Sequence, residues 1–335
     1  MTSASLPPPS AESTALRGPS AWQRLWADKM TRFCIVVILI YTLAALFGEC
    51  VYRYYNHGFR IPFTSLSIGE DETPPYNELH MESRYVPPLT TVTFPEKTTA
   101  KGVVVPPRKH CYLLGSDNLG RDVLQRLVQG ARIAFHVGIM TSLIAIPLGV
   151  LLGCLGGFFG GKIDSAVVWL CATVSAMPGL LFILAISLVV GKGLLGIYLG
   201  IGLTTWVGVC RTVRAEVMKQ SSRAYVLAAK TLGYSHARIM FRYVLPNVAH
   251  IILIQFSIRV PSAVSTEVFI SFLGIGVQGE PSWGVMINNA RMRLWQGVWW
   301  EMTFTTLAIF LLVLVFNHLA DVLRDRLDPA LRSER

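Results

Sequence analysis

The chain has 335 residues, 52% of them hydrophobic and only 15% charged, with a mean hydropathy of +0.48. Such a composition excludes an ordinary water-soluble enzyme or binding module and makes this a membrane protein. The formal charge of +10 does not imply nucleic acid, because no basic stretch is interleaved with aromatics as a base-stacking platform requires.

The first twenty residues, rich in Ser, Pro and Ala, read as disordered. An apolar run at Thr31–Phe47 follows, flanked by Arg24, Lys29 and Arg32. Thirty residues precede it and no clear small-x-small site follows before Gly48-Glu49-Cys50, so it reads as an uncleaved anchor rather than a signal peptide. Residues 48–132 form an extracytoplasmic segment with proline pairs and a β-prone run, Thr90-Thr91-Val92-Thr93-Phe94. Cys50 and Cys111 fall on that side; spacing alone does not establish that they pair. Within the segment, residues 115–132 read as an amphipathic helix on the outer membrane surface, at the mouth of any passage. Asp117 is its N-cap, and Leu119, Val123, Leu124, Leu127 and Val128 recur at helical spacing.

Further spans of bilayer-crossing length are expected at His136–Phe159, Asp164–Val190, Gly193–Cys210, Asn247–Leu273 and Trp300–Leu319, six in all. Basic residues set the orientation. Lys162, then Arg211, Arg214, Lys219, Arg223, Lys230, Arg238 and Arg242, and finally Arg324 and Arg326 all fall on the side of the N-terminus, which is therefore cytoplasmic. The chain divides into an N-terminal tail (1–30), a first span (31–47), the external segment (48–132), a transmembrane domain (133–320) with a cytoplasmic loop at 211–246, and a cytoplasmic tail (321–335).

Three glycine-rich stretches imitate nucleotide-binding motifs. Gly156 to Lys162 opens like a phosphate-binding loop, but Ile163 stands where Ser or Thr must reach magnesium. Gly191 to Gly196 and Gly274 to Gly279 match GxGxxG without a βαβ context. The seven histidines are scattered, and neither a metal-ligand set nor a catalytic triad can be assembled. No catalysis, and no cofactor or metal of its own, is expected of this chain.

Arg259 and Glu267 lie inside the fifth span, where ionisable groups are costly and face a partner or a wet path. Eight residues apart, they are separated by about 80° around a helix, so they read as one stripe lining a polar passage or facing a second membrane subunit. The bland alternative places one or both at the span ends, reaching headgroups or water. A self-contained secondary transporter or channel would use them as an ion-coupled pair, but it predicts internally repeated halves that the sequence lacks.

The interval Arg211–Pro246 reads as two short helices joined by a corner. Gly233 ends the first in a left-handed conformation, Ser235 caps the second, and Pro246 suits the first turn of the following span. Ala228 and Ala229 keep one side small. An elbow of this kind on a cytoplasmic face is a handle for another protein.

From Leu114 to Leu331 the chain resembles the permeases of binding-protein-dependent ABC transporters, specifically the C-type permease of oligopeptide and dipeptide importers. Gly115-Ser116-Asp117-Asn118-Leu119-Gly120-Arg121-Asp122 is similar to that branch's GTDxxGRD segment. Ala228-Ala229, Gly233, Ile239 and Leu245-Pro246 resemble its EAA loop, with Leu227 where Glu is usual. Ser271 to Gln278 with Pro281-Ser282-Trp283-Gly284, and Leu323 to Pro329, resemble its external segment and its ending. The resemblance implies an all-α membrane fold of six transmembrane helices, the type I importer permease fold, with an extracytoplasmic insertion between the first two. It implies residence in a bacterial cytoplasmic (inner) membrane. The expected partners are a homologous B-type permease, two ATP-binding subunits carrying ATP and magnesium, an extracytoplasmic peptide-binding protein and lipid, with no nucleic acid. Ala228, Ala229, Gly233, Ile239, Leu245 and Pro246 are then expected to couple the elbow to the ATPase. Arg259 and Glu267 are expected along the pathway, and Asp117, Gly120, Arg121 and Asp122 at the external gate or docking face.

Overall fold

Apolar runs too long for a turn become rods, and the computed structural model shows where each rod begins and breaks. It describes residues 28–57, 59–60, 67–68, 74–94, 97–98, 104–105, 107–191, 193–277 and 279–327. Expectations resting on the first twenty residues, Gln278 and Asp328-Pro329 lie outside these.

Helix α1 (Lys29–His57) starts at Asp28, whose carboxylate accepts from the Thr31 hydroxyl at 2.8 Å and the Met30 amide at 3.2 Å. These bonds hold the Asp28 carboxyl below its ordinary range. The helix overruns the expected end at Phe47 by ten residues, because nothing from Gly48 to Tyr55 breaks it and Glu49 pairs with Arg53 one turn on, at 2.7 Å. It packs into the bundle: the Tyr41 hydroxyl donates to the Ala308 carbonyl at 2.9 Å, and Gln129 donates to the Gly48 carbonyl at 3.0 Å.

The segment that follows α1 contains antiparallel pairs β1 (Phe59–Arg60) with β2 (Ser67–Ile68) and β4 (Lys97–Thr98) with β5 (Val104–Val105). Its longest ladder joins β3 (Thr90–Phe94) to β6 (Arg108–Tyr112), with Thr90 opposite Tyr112 and Phe94 opposite Arg108. The β-prone run is therefore a strand. Cys50 and Cys111 are separate, exposed thiols.

No independent helix covers 115–132. Residues 115–122 form a loop closed by a bridge between Ser116 and Asp122, with φ of +85° at Gly115 and +76° at Gly120. A Cβ at Gly120 would sit 1.9 Å from the His80 carbonyl oxygen, so only glycine fits that crossing. Asp122, not Asp117, is the N-cap, accepting from the Leu124 amide at 2.8 Å. Helix α2 (Val123–Phe159) then runs without interruption into the membrane.

The third span is not one rod. It is α3 (Gly161–Ala176) and α4 (Gly179–Val190), bent by 87°. Pro178 follows Met177, which is forced into an extended conformation (ψ 137°), and the helix cannot continue through it. Among the described residues five helices are long and apolar enough to cross a membrane, or six if this bent pair is one span.

Helix α5 (Leu194–Ser221) overruns the expected end at Cys210 by eleven residues, carrying Arg211, Arg214 and Lys219 on the same rod. It lies against α2 along Gly149, Gly153 and Gly157. A Cβ at these positions would meet the Val209 side chain at 2.5 Å, the Cys210 carbonyl at 2.8 Å and the Arg214 carbonyl at 2.6 Å. Small residues at every fourth position let the two backbones meet; of the phosphate-loop look-alike, Gly157 belongs to this seam, Gly156 faces Asp164 and Val167 of α3, and Gly160 and Gly161 make the turn.

The remaining elements are α6 (Ala224–Thr231), α7 (His236–Ile239), a π-helical turn (Met240–Val244), α8 (Leu245–Phe272), α9 (Trp283–Arg291) and α10 (Trp300–Leu327). The two ends of α2 separate the functions. At one end Leu127 accepts from the Trp283 indole at 3.0 Å, near the segment that joins α1 to α2. At the other, about 45 Å along the axis, Phe158 packs into the 211–246 region.

Candidate functional site

The corner of the elbow is a double hydrogen-bonded cap. Tyr234 donates to the Ala229 carbonyl at 3.2 Å and Gly233 to the Lys230 carbonyl at 3.0 Å, with Gly233 at φ +75°. This is the Schellman arrangement, which closes α6 and fixes the chain's exit direction. Ser235 accepts from the Arg238 amide at 3.3 Å and starts α7. Pro246 falls in the first turn of α8, as expected, but α8 is not separated from what precedes it: α7, the π turn and α8 run on as a single rod, His236–Phe272. Pro246 lacks an amide donor and crowds the carbonyl four residues back, and the wide turn before it absorbs this through a bond from the Leu245 amide to the Met240 carbonyl.

The elbow has two faces. Val226, Ala229, Ile239, Met240 and Val244 are buried against Cys154 and Phe158 of α2 and Val213 and Val217 of α5. Ala228, Leu227, Leu232 and Phe241 face outward, Leu232 and Phe241 at 70% and 69% exposure. Of the expected pair, only Ala228 is open to approach; Ala229 and Ile239 anchor the elbow to its own bundle, Leu245 is half-buried and Pro246 exposed. Beside it, Arg214 forms a bidentate pair with Asp164, its Nη2 at 2.6 Å from Oδ2 and its Nε also donating, which ties α3 to α5. Arg211 reaches the Ser175 hydroxyl at 2.9 Å. Neither contact was anticipated; the only signal was an isolated acid at the start of an apolar span.

Arg259 and Glu267 do not share a lining stripe. Glu267 is 1% exposed and accepts from the Ser271 hydroxyl at 2.6 Å, with Ser282 also in reach, so it joins α8 to the start of α9. Arg259 turns toward α5 and donates to the Thr205 carbonyl, beside a cleft lined by Thr141, Ser142, Thr205 and Ser262. The 80° between the two positions suffices to put one inside the bundle and the other at a cleft. Arg259 lies about 20 Å from either end of α8, so the headgroup alternative fails for it.

The expected external gate residues form buried scaffolding. Asp117 is fully buried and accepts from the amides of Leu119 and Arg121 at 2.8 and 2.9 Å and from Arg121 Nε at 2.7 Å, with Arg126 Nε at 3.6 Å. Asp122 meets His110 at 3.0 Å, and Gly120 accepts from the Tyr112 hydroxyl at 3.1 Å. This segment, which holds the insertion to α2, has its polar groups turned inward. Close by, Arg132 stacks 3.7 Å over the Tyr52 ring and pairs with Glu280 and Glu49, joining α1, α2 and the loop before α9.

The family model of the binding-protein-dependent transport system inner membrane component matches residues 145–333. The dipeptide transport system permease protein DppC of Bacillus subtilis (strain 168) is 41% identical over 219 residues, covering 65% of this chain and 68% of that protein. The oligopeptide transport system permease protein OppC of the same organism is 36% identical, covering 68% and 74%. The glutathione transport system permease protein GsiD of Pectobacterium atrosepticum is 35% identical, covering 66% and 73%. A solved structure of the MetNI methionine ABC transporter in inward-facing conformations aligns at a TM-score of 0.46 and 16% identity, over 62% of this chain and 96% of that one. With more than half of its length matched by the family model, the chain belongs to the binding-protein-dependent transport system inner membrane components, and it is a multi-pass permease subunit of an ABC importer.

Proposed function

We propose that this chain is the C-type permease of an oligopeptide or dipeptide importer, forming half of the translocation pathway beside a B-type permease in a bacterial cytoplasmic membrane. Two ATP-binding subunits, with ATP and magnesium, supply the energy on the side of both termini, and an extracytoplasmic binding protein delivers the cargo. The relatives' names support the peptide class. The observation that carries the reading is the two-faced elbow: Val226, Ala229 and Ile239 fix it to α2 and α5, while Leu227, Leu232 and Phe241 present an exposed apolar face that is uncovered among the described residues. Large exposed apolar residues around a rigid corner suit a protein partner, and Leu227 replaces the usual acid with an apolar contact. A partner that moves the corner moves α7 and α8 with it, because they are one rod. Nucleotide shifts the gate only through contacts that differ between two states, and a capped corner transmits such a difference without bending.

The test is co-purification with the ATP-binding subunits in detergent, followed by ATP-dependent peptide uptake in liposomes. Stoichiometric partners and uptake that requires them are expected. Uptake by the isolated chain would contradict the reading.

A further inference from the structure

Arg259 is charged, central in the bilayer span and without an acidic partner. Among the described residues no carboxylate forms an ion pair with it; one Nη donates to the Thr205 carbonyl, and its Nε is buried with no partner. A guanidinium has five donors in a rigid fork that matches a carboxylate. Holding it at mid-membrane without an anion is costly, so the missing partner arrives from outside the chain.

A cleft lies beside Arg259 among α2, α5 and α8, lined by Ser262, Thr205, Thr141 and Ser142. Its volume is about 10 Å³, the space of one water, so an anion reaches the guanidinium as these helices part in an alternating-access cycle. Gly208 keeps the space above the guanidinium free, since a Cβ there would lie 3.2 Å from Arg259 Nη2. One turn along α5 and α8, Gln255 donates to the Thr212 hydroxyl at 3.4 Å. Three of the four lining hydroxyls are already committed: Thr141, Ser142 and Thr205 donate to the carbonyls of Val137, Gly138 and Ile201 at 2.7, 2.7 and 2.8 Å. Among the lining residues Arg259 is therefore the charged donor, with the Ser262 hydroxyl beside it, and an anion held by a single fork is held transiently. Lipid phosphates are excluded by depth, about 20 Å from either end of α8.

We propose that Arg259 is a way-point for the carboxylate of the transported solute, which for a peptide is its C-terminal carboxylate. This rests on the permease reading. Every peptide carries that group whatever its side chains, so one guanidinium serves a pathway that must pass many sequences.

The test uses the complete importer in liposomes, supplied with a peptide bearing a free C-terminus and an amidated analogue that the same binding protein delivers. With Arg259→Gln, uptake of the acid is expected to fall about tenfold relative to the amide, as for the loss of a charge-assisted hydrogen bond. Arg259→Lys retains the charge without the fork and is expected to fall between, and it carries the test should Arg259→Gln not assemble. Equal losses for both peptides, the pattern produced by a carboxylate supplied by the second permease, would overturn the proposal, as would no loss for either. Absence of ATP-driven uptake by the unaltered complex would instead contradict the permease reading, and this proposal with it.

Discussion

Tyr234 donates its amide to the Ala229 carbonyl across the left-handed turn at Gly233, so the residue that starts the second arm of the elbow is bonded to the buried anchor of the first. The two arms move as one body. Gly233→Val forces a β-branched residue into the left-handed region at a cost of about 1–2 kcal/mol. The variant is expected to insert in the membrane but to lose most uptake, whereas Gly233→Asn, which tolerates that conformation, retains more. Uptake normalised to subunit in the membrane checks this.

The outward face of the elbow predicts a different phenotype. Leu232→Glu and Phe241→Glu change exposed side chains and are expected to leave thermal stability within about 0.5 kcal/mol while reducing recovery of ATP-binding subunits. Ala229→Leu, on the buried face, is expected to lower stability first. Detergent melting and pull-down on the same preparations separate the two.

Asp164 and Arg214 are 21% and 27% exposed as side chains. Asp164→Asn is expected to cost about 1–2 kcal/mol, less than a fully buried pair would because solvent screens it. Combining it with Arg214→Gln is expected to cost less than the sum of the two single changes, and a double-mutant cycle reads that difference.

At the seam between α2 and α5, Gly153→Leu places a side chain against the Cys210 carbonyl, where even a Cβ is 2.8 Å away. Overpacking of this kind costs about 1–3 kcal/mol. Gly179→Leu, where a Cβ meets nothing within 4 Å, is the control expected to melt like the unaltered protein.

Much of this was legible in the sequence where the signal is local. The apolar runs located the rods, and Gly233 and Ser235 announced the corner, because left-handed turns and caps are chosen by residue type. Asp117 precedes the periodic stretch that opens at Leu119 and Asp122 lies within it; the loop closed by the Ser116–Asp122 bridge takes up the first turn, so the second acid caps. The break at Pro178 was written in the chain but masked by equal hydropathy on both sides. Asp164 and Arg214, fifty residues apart, leave no periodic trace of their meeting. Arg259 and Glu267 show the same limit from the other side: periodicity gives an angle between positions, and the neighbouring helices decide what each one faces.

The most direct test of the elbow as the seat of the ATP-binding partner is site-directed cross-linking at its exposed tip. Leu232→Cys in membranes containing the whole complex, treated with a short thiol cross-linker, is expected to yield an adduct with an ATP-binding subunit whose amount changes when ATP is added. Free reaction of that cysteine with a membrane-impermeant reagent from the extracytoplasmic side, and no adduct, would contradict the account.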